Sequence, residues 1–163
     1  MNCNCYKRDG ENCITRVPIF NNLTYEEMLE VARITTDRTY AKGEMIYTAG
    51  DQGEKLYVIH EGRVKITRIS EAGKEQVIRV LGPGDFLGEL SLFTPTPRTD
   101  NAEVLEKTIL CIIDGKNLKQ LMAKYPEVTW KVMEELSKRL SSAENLIENI
   151  SIHGVEKRLA DTL

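Results

Sequence analysis

The sequence predicts a mainly β domain, built as a sandwich, jelly roll or barrel, with helices at both ends. Three observations point there. Glycines at 43, 50, 53, 62, 73, 82, 84 and 88 cut the middle of the chain into short segments, and many short strands at such spacing argue against a parallel α/β sheet. Within that region Val64-Lys65-Ile66-Thr67-Arg68-Ile69 alternates apolar and polar, the period of a strand with one buried face. After Asp114 the apolar residues recur every three or four positions to the end of the chain, which is the period of a helix.

The elements follow in order. Residues 1–16 are polar and broken by Asp9-Gly10, and read as an arm. Thr24 with Glu27 forms a capping box: the hydroxyl takes an amide hydrogen and the carboxylate reaches back. Met28, Leu29, Val31 and Ala32 give the helix after it an apolar face, and Thr35-Thr36 opens a β-branched stretch. Leu56-Tyr57-Val58-Ile59 runs to a Glu61-Gly62 turn, and Glu71-Ala72-Gly73 separates Val64–Ile69 from Gln76–Val80. Val104–Ile113 is expected as the last strand. Asp114 caps a short helix carrying Leu118, Leu121 and Met122, which stops before Pro126.

The next helix carries Met133, Leu136, Leu140, Ala143, Ile147 and Ile150 at alternating spacings of three and four. This heptad seam predicts a homodimer. Val132 and Leu146, off the seam, are expected to pack on the domain. With Met133 at an a position, Arg139 and Glu144 fall where a parallel pair would bridge them. His153-Gly154 is expected to break the helix, and Val155–Leu163 restarts it with no closing cap, as in a chain cut there. The predicted organisation is an arm at 1–16, an effector domain at 17–125, a dimerisation helix at 126–153, and a hinge and start of a further domain at 154–163.

Composition excludes several classes. The chain has 163 residues and a net charge of −3, without the basic footprint of a nucleic-acid binder. Its longest apolar run, Ile109-Leu110-Cys111-Ile112-Ile113, is far below the roughly 20 residues of a membrane span. The start of the chain has no apolar core of a secretory signal. A cytoplasmic protein without membrane contact is expected. Only His60 and His153 are present, too few for the converging histidines of a cupin-type metalloenzyme. No serine or cysteine has a recognisable histidine partner pattern, so no enzyme is expected.

Chemistry concentrates in Gly88-Glu89-Leu90-Ser91-Leu92-Phe93 and, four residues later, Arg98-Thr99. Glycine lets backbone approach a ligand, arginine forks onto a phosphate, and a carboxylate accepts from a sugar hydroxyl. By residue types alone a structural Glu89–Arg98 pair on a turn-rich loop is the favoured reading. The spacing resembles the phosphate-binding cassette of cyclic-nucleotide-binding domains. Lys42-Gly43-Glu44, Gly50-Asp51, Leu56–Ile59 and Glu61-Gly62 match the turns of that fold, while the long helix, Gly154 and Arg158-Leu159-Ala160 resemble Crp/Fnr-type bacterial transcription regulators. The resemblance covers nearly all of 17–163.

It implies a double-stranded β-helix, or jelly roll, followed by a parallel dimerisation helix. It implies a cyclic nucleotide or other small anion as ligand. Gly88 and Leu90 would offer amides, Glu89 the ribose contact, and Arg98 and Thr99 the phosphate contact, with Ser91 in the same cassette. Two positions depart from the cyclic-AMP-activated pattern: Asp100 stands where a small neutral residue is common, and Ala143-Glu144 replaces a hydroxyl pair on the helix. DNA and RNA polymerase would be partners only through a helix-turn-helix domain beyond residue 163. Cys3, Cys5, Cys13 and Cys111 also resemble the three-plus-one cysteines of Fnr-like members. That likeness implies an iron–sulfur cluster. Tetrahedral zinc, a reversible disulfide, or an inert buried Cys111 are the alternatives. A ligand-less interaction module of the same fold is the remaining reading.

Overall fold

A computed structural model of the protein describes residues 17–162. A 3₁₀ turn (Pro18–Phe20) leads into α1 (Tyr25–Arg33). The strands are β1 (Thr35–Tyr40), β2 (Met45–Tyr47), β3 (Lys55–Glu61), β4 (Val64–Ile69), β5 (Glu75–Leu81) and β6 (Phe86–Leu87). The one-turn α2 (Glu89–Leu92) precedes β7 (Asn101–Val104) and β8 (Thr108–Asp114), and α3 (Gly115–Lys124) and α4 (Pro126–Thr162) close the chain.

The strands form two separate four-stranded antiparallel sheets, in the orders β1-β8-β3-β6 and β2-β7-β4-β5. This is the jelly roll expected from the sequence, and two open sheets rule out a closed barrel. The first sheet lies in the middle of three layers. Tyr57, Ile59 and Leu110 face the second sheet in one apolar cluster. Leu56, Val58, Cys111 and Ile113 face the helices in the other, against Val31, Leu118, Leu121, Val128 and Val132. A strand buried on both faces reads as a continuous apolar run, and that is why Leu56-Tyr57-Val58-Ile59 lacks alternation. The second sheet is one-sided. Val64 and Ile66 are buried, while outward Lys65 pairs with Glu103 at 3.1 Å and Glu75 at 3.5 Å across the neighbouring strands.

The local signals hold. Thr24 accepts from the Glu27 amide and Glu27 from the Thr24 amide, closing the capping box. Asp114 accepts from the Lys116 amide at 2.9 Å.

Three expectations fail at a distance. The span Val104–Ile113 is not one strand: β7 ends at Val104 and β8 begins at Thr108. The chain changes sheets there, and Thr108 Oγ1 closes the corner by donating to the Glu106 carbonyl at 2.7 Å. The break at Gly154 is also absent, since α4 runs through it as one helix of 37 residues. A glycine in a helix costs only about 1 kcal/mol against alanine, too little to end it. On α4, Leu146 is exposed although expected on the domain, and Leu136 packs partly on the core although placed in the seam. Val128, Val132, Leu136 and Arg139 follow the domain-facing side of a straight helix; from Leu140 to Ile150 the residues of α4 are exposed. Among the described residues no helix is long and apolar enough to cross a membrane.

Candidate functional site

The site forms where the β6–α2 turn meets the loop before β7. Gly88 turns the chain at φ +93°, a left-handed conformation that residues with a Cβ rarely adopt. Space demands glycine as well: a Cβ here would lie 2.6 Å from the Lys55 carbonyl oxygen, 3.1 Å from Arg98 Nη1 and 3.2 Å from Tyr57. Glu89 follows with 3% of its surface exposed. Arg139 Nη1 donates to its Oε1 at 2.6 Å and Arg79 Nη2 reaches the same oxygen at 3.4 Å. Its other oxygen, Oε2, is buried without a hydrogen-bond partner among the described residues.

Arg98 is 4% exposed. Its backbone is pinned to the β2–β3 turn, its amide donating to Asp51 at 2.9 Å and its carbonyl accepting from Gly50 at 2.8 Å. The guanidinium lies 3.8 Å from the Tyr47 ring centroid and 5.6 Å from that of Tyr57, and Nη2 donates to the Lys55 carbonyl at 3.3 Å. Burial raises the phenols of both tyrosines above their ordinary range, so these rings are neutral platforms. Among the described residues no carboxylate stands within ion-pair distance of Arg98. A buried guanidinium over aromatic faces, without an internal counter-anion, is prepared for an external one.

Thr99 accepts from Arg68 Nη2 at 3.2 Å. Asp100 is 6% exposed. Burial raises its carboxyl above the ordinary range, against the pull of Arg68, Arg79 and Arg98 and with the push of Glu89.

The expected residues therefore divide. Gly88, Glu89, Arg98 and Thr99 come together. Leu90 is half exposed on α2. Ser91 packs its side chain against the Gly53 turn, where a Cβ on residue 53 would meet Ser91 Cβ at 2.0 Å. The alternative Glu89–Arg98 pair does not form: Glu89 is held by Arg139 and Arg79, and Arg98 by rings and a carbonyl. The Arg139–Glu144 bridge is corrected too. Arg139 turns onto its own domain, also donating to the Phe86 carbonyl at 2.9 Å and stacking 3.8 Å from the Phe86 ring. Sequence reading missed Arg68, Arg79, Arg139, Tyr47 and Tyr57. One signal was available, because Arg79 interrupts an otherwise apolar Val77-Ile78-Arg79-Val80.

Cys111 is 1% exposed, on the helix-facing side of β8 and so across the first sheet from Tyr57. Cys3, Cys5 and Cys13 lie outside the described residues. Among the described residues no group of three or more His, Cys, Asp or Glu is placed to hold a metal ion.

Comparison with known proteins agrees with this geometry. A family model described as the cyclic nucleotide-binding domain matches residues 37–125, more than half of the chain. The CRP-like cAMP-activated global transcriptional regulator of Mycobacterium tuberculosis is 28% identical over 153 residues, covering 94% of this chain and 68% of that protein. The anaerobic regulatory protein of Bacillus subtilis is 28% identical over 154 residues, 93% of this chain and 65% of that protein. The crystal structure of the Thermus thermophilus catabolite activator protein superposes with a TM-score of 0.76 at 30% identity, over 82% of this chain and 63% of that one. The chain thus spans about two thirds of the length of the regulators it matches. The matched segment runs from within β1 to the end of α3 and carries Gly88, Glu89, Arg98 and Thr99: the chain belongs to the cyclic nucleotide-binding domain family and is of the Crp/Fnr regulator type.

Proposed function

We propose that this chain is the effector-sensing and dimerisation part of a cytoplasmic, DNA-binding Crp/Fnr-type regulator. Its ligand is a cyclic nucleotide or a similar small anion that also carries a hydroxyl. One observation carries the reading: among the described residues Arg98 is a buried cation without a carboxylate partner, while Glu89 Oε2 nearby is a buried acceptor without a donor. An anionic group would accept from Arg98 and Thr99, and a ligand hydroxyl would donate to Glu89 Oε2. Leaving such buried polar groups unpaired costs about 1–3 kcal/mol each, so a ligand that supplies both gains from both. The Gly88 turn keeps Cβ atoms out of the approach.

The site is wired to α4. Arg139 holds Glu89 Oε1, so whatever loads Oε2 shares a carboxylate with the long helix. The exposed face of α4, with Met133, Leu140, Ala143, Ile147 and Ile150, is the dimer surface, and Trp130 at 69% exposure extends it. DNA and RNA polymerase would be reached through a helix-turn-helix domain beyond this chain.

Thermal unfolding with and without cyclic AMP and cyclic GMP tests the reading. Ligand at a hundred times its Kd stabilises by about 2.7 kcal/mol, and Arg98→Ala should abolish the shift. No shift with either nucleotide refutes the cyclic-nucleotide assignment.

Similarity to the anaerobic regulatory protein of Bacillus subtilis, with three cysteines near the start and Cys111, favours a second reading, an oxygen or redox signal. Anaerobically purified protein should then carry iron that Cys111→Ser removes. Metal-free, colourless protein refutes a cluster.

A further inference from the structure

We propose that Asp100 sets which anions this site accepts: an anionic group binds beside Arg98 and Thr99 together with one proton, which the Asp100 carboxylate takes up. The inference rests on reading Arg98 and Thr99 as an anion site, and adds a selectivity that the reading alone does not contain.

Asp100 follows Thr99 directly and is 6% exposed. Its carboxylate has no hydrogen bond or ion pair among the described residues. The charges that face it come from four places: Arg68 on β4, Arg79 on β5, Arg98 on its own loop, and Glu89 on α2. Tyr47 on β2 faces it as a neutral phenol. Three guanidiniums thus support the charge of Asp100, and burial together with Glu89 opposes it. Opposition already prevails, because the carboxyl sits above its ordinary range before any ligand arrives.

An incoming anion changes the balance in one direction. It takes the Arg98 guanidinium as its own counter-ion and places a second negative charge beside Asp100. Like charges sharing a buried site raise the affinity of one of them for a proton. Protonation from solvent relieves the repulsion and converts Asp100 from acceptor to donor, so the acid can hydrogen-bond the anion it would otherwise repel. Bonds balance simply: one proton leaves the solvent and one O–H forms on Asp100.

Two consequences follow by linkage. Affinity falls as pH rises from the ligand-free pKa of Asp100 to its higher ligand-bound pKa, by up to about tenfold per pH unit. The site also favours a singly charged phosphodiester over a doubly charged monoester, since the second charge of a monoester has no proton to meet it.

The test is calorimetry of cyclic AMP and of 5′-AMP from about pH 5 to about pH 8, each in two buffers of different ionisation enthalpy. Wild type, Asp100→Asn and Arg98→Ala are compared. Wild type should take up close to one proton with cyclic AMP and lose affinity as pH rises. Asp100→Asn, of nearly the same shape, should bind about tenfold more tightly near neutral pH, with a flat profile, no proton uptake and weaker discrimination against 5′-AMP. An Asp100→Asn protein with wild-type affinity and pH slope overturns the proposal while leaving the site itself intact, provided Arg98→Ala still abolishes binding. If no nucleotide binds any variant, the cyclic-nucleotide reading fails separately. The Asp100 carboxyl resonance then decides with inorganic phosphate as the probe: an upward move of its pKa supports the proposal and an unmoved one overturns it.

Discussion

Replacing Arg139 with alanine tests the link between the long helix and the site. The substitution removes the 2.6 Å bond to Glu89 Oε1, the 2.9 Å bond to the Phe86 carbonyl and the guanidinium stack 3.8 Å over Phe86. Glu89 stays buried, with only Arg79 at 3.4 Å. Breaking one partner of a fully buried pair costs about 3–5 kcal/mol. Arg139 is 24% exposed and Arg79 remains, so we expect about 2–3 kcal/mol. At about 2–4 °C per kcal/mol for a chain of this length, Tm should fall by about 5–10 °C. Lysine at this position keeps the charge but cannot fork between carboxylate and carbonyl, so Arg139→Lys should fall between. Thermal and urea unfolding, each paired with sedimentation, give the readout. The sequence-based alternative, Arg139 bridging to Glu144 of a partner helix, predicts another pattern: Arg139→Ala and Glu144→Ala would weaken the dimer equally. A Tm for Arg139→Ala within about 1 °C of wild type, or equal effects of the two substitutions, would refute the intrachain latch.

Gly88→Ala forces a Cβ into a left-handed turn and to 2.6 Å from the Lys55 carbonyl. It should cost about 2–4 kcal/mol from strain and overpacking, read as a lower urea midpoint with loss of any ligand-induced shift. Leu140→Glu places a charge at a 61% exposed position of α4. It should leave Tm nearly unchanged but halve the sedimentation mass, and an unchanged mass would remove this face from the dimer. The Lys124 hydrogen bond, 2.7 Å long, holds the Glu30 carboxyl below its ordinary range. The stabilisation is therefore full above the unfolded carboxylate pKa and is lost as pH falls through the lowered one. Lys124→Met should lower the urea midpoint slightly near pH 7, with the difference shrinking as pH falls below the ordinary carboxylate range.

What the sequence determined by itself was local or closely spaced. The capping box at Thr24 and Glu27, the cap at Asp114, the stop at Pro126 and the alternation through β4 depend on neighbours within one turn or one strand. The spacing from Gly88 to Thr99 was legible for the same reason, because one turn and one loop carry most of the cassette. Tertiary structure decided which charges meet. Glu89 found Arg139, fifty positions further on, only because α4 returns across the β6–α2 turn. Arg79 reaches Glu89 through the β4–β5 register that pairs it with Ile66. Arg68 reached Thr99 through the β4–β7 register, and Arg98 settled on Tyr47 through the pairing of β2 with β7, both within the second sheet. A heptad says which helix positions share a face but not which half of the face the domain covers, so Leu136 and Leu146 fell on the sides opposite to expectation. A buried charge selects its partner by proximity after folding, and proximity between distant segments is set by register and layer packing, neither of which is written at any single position.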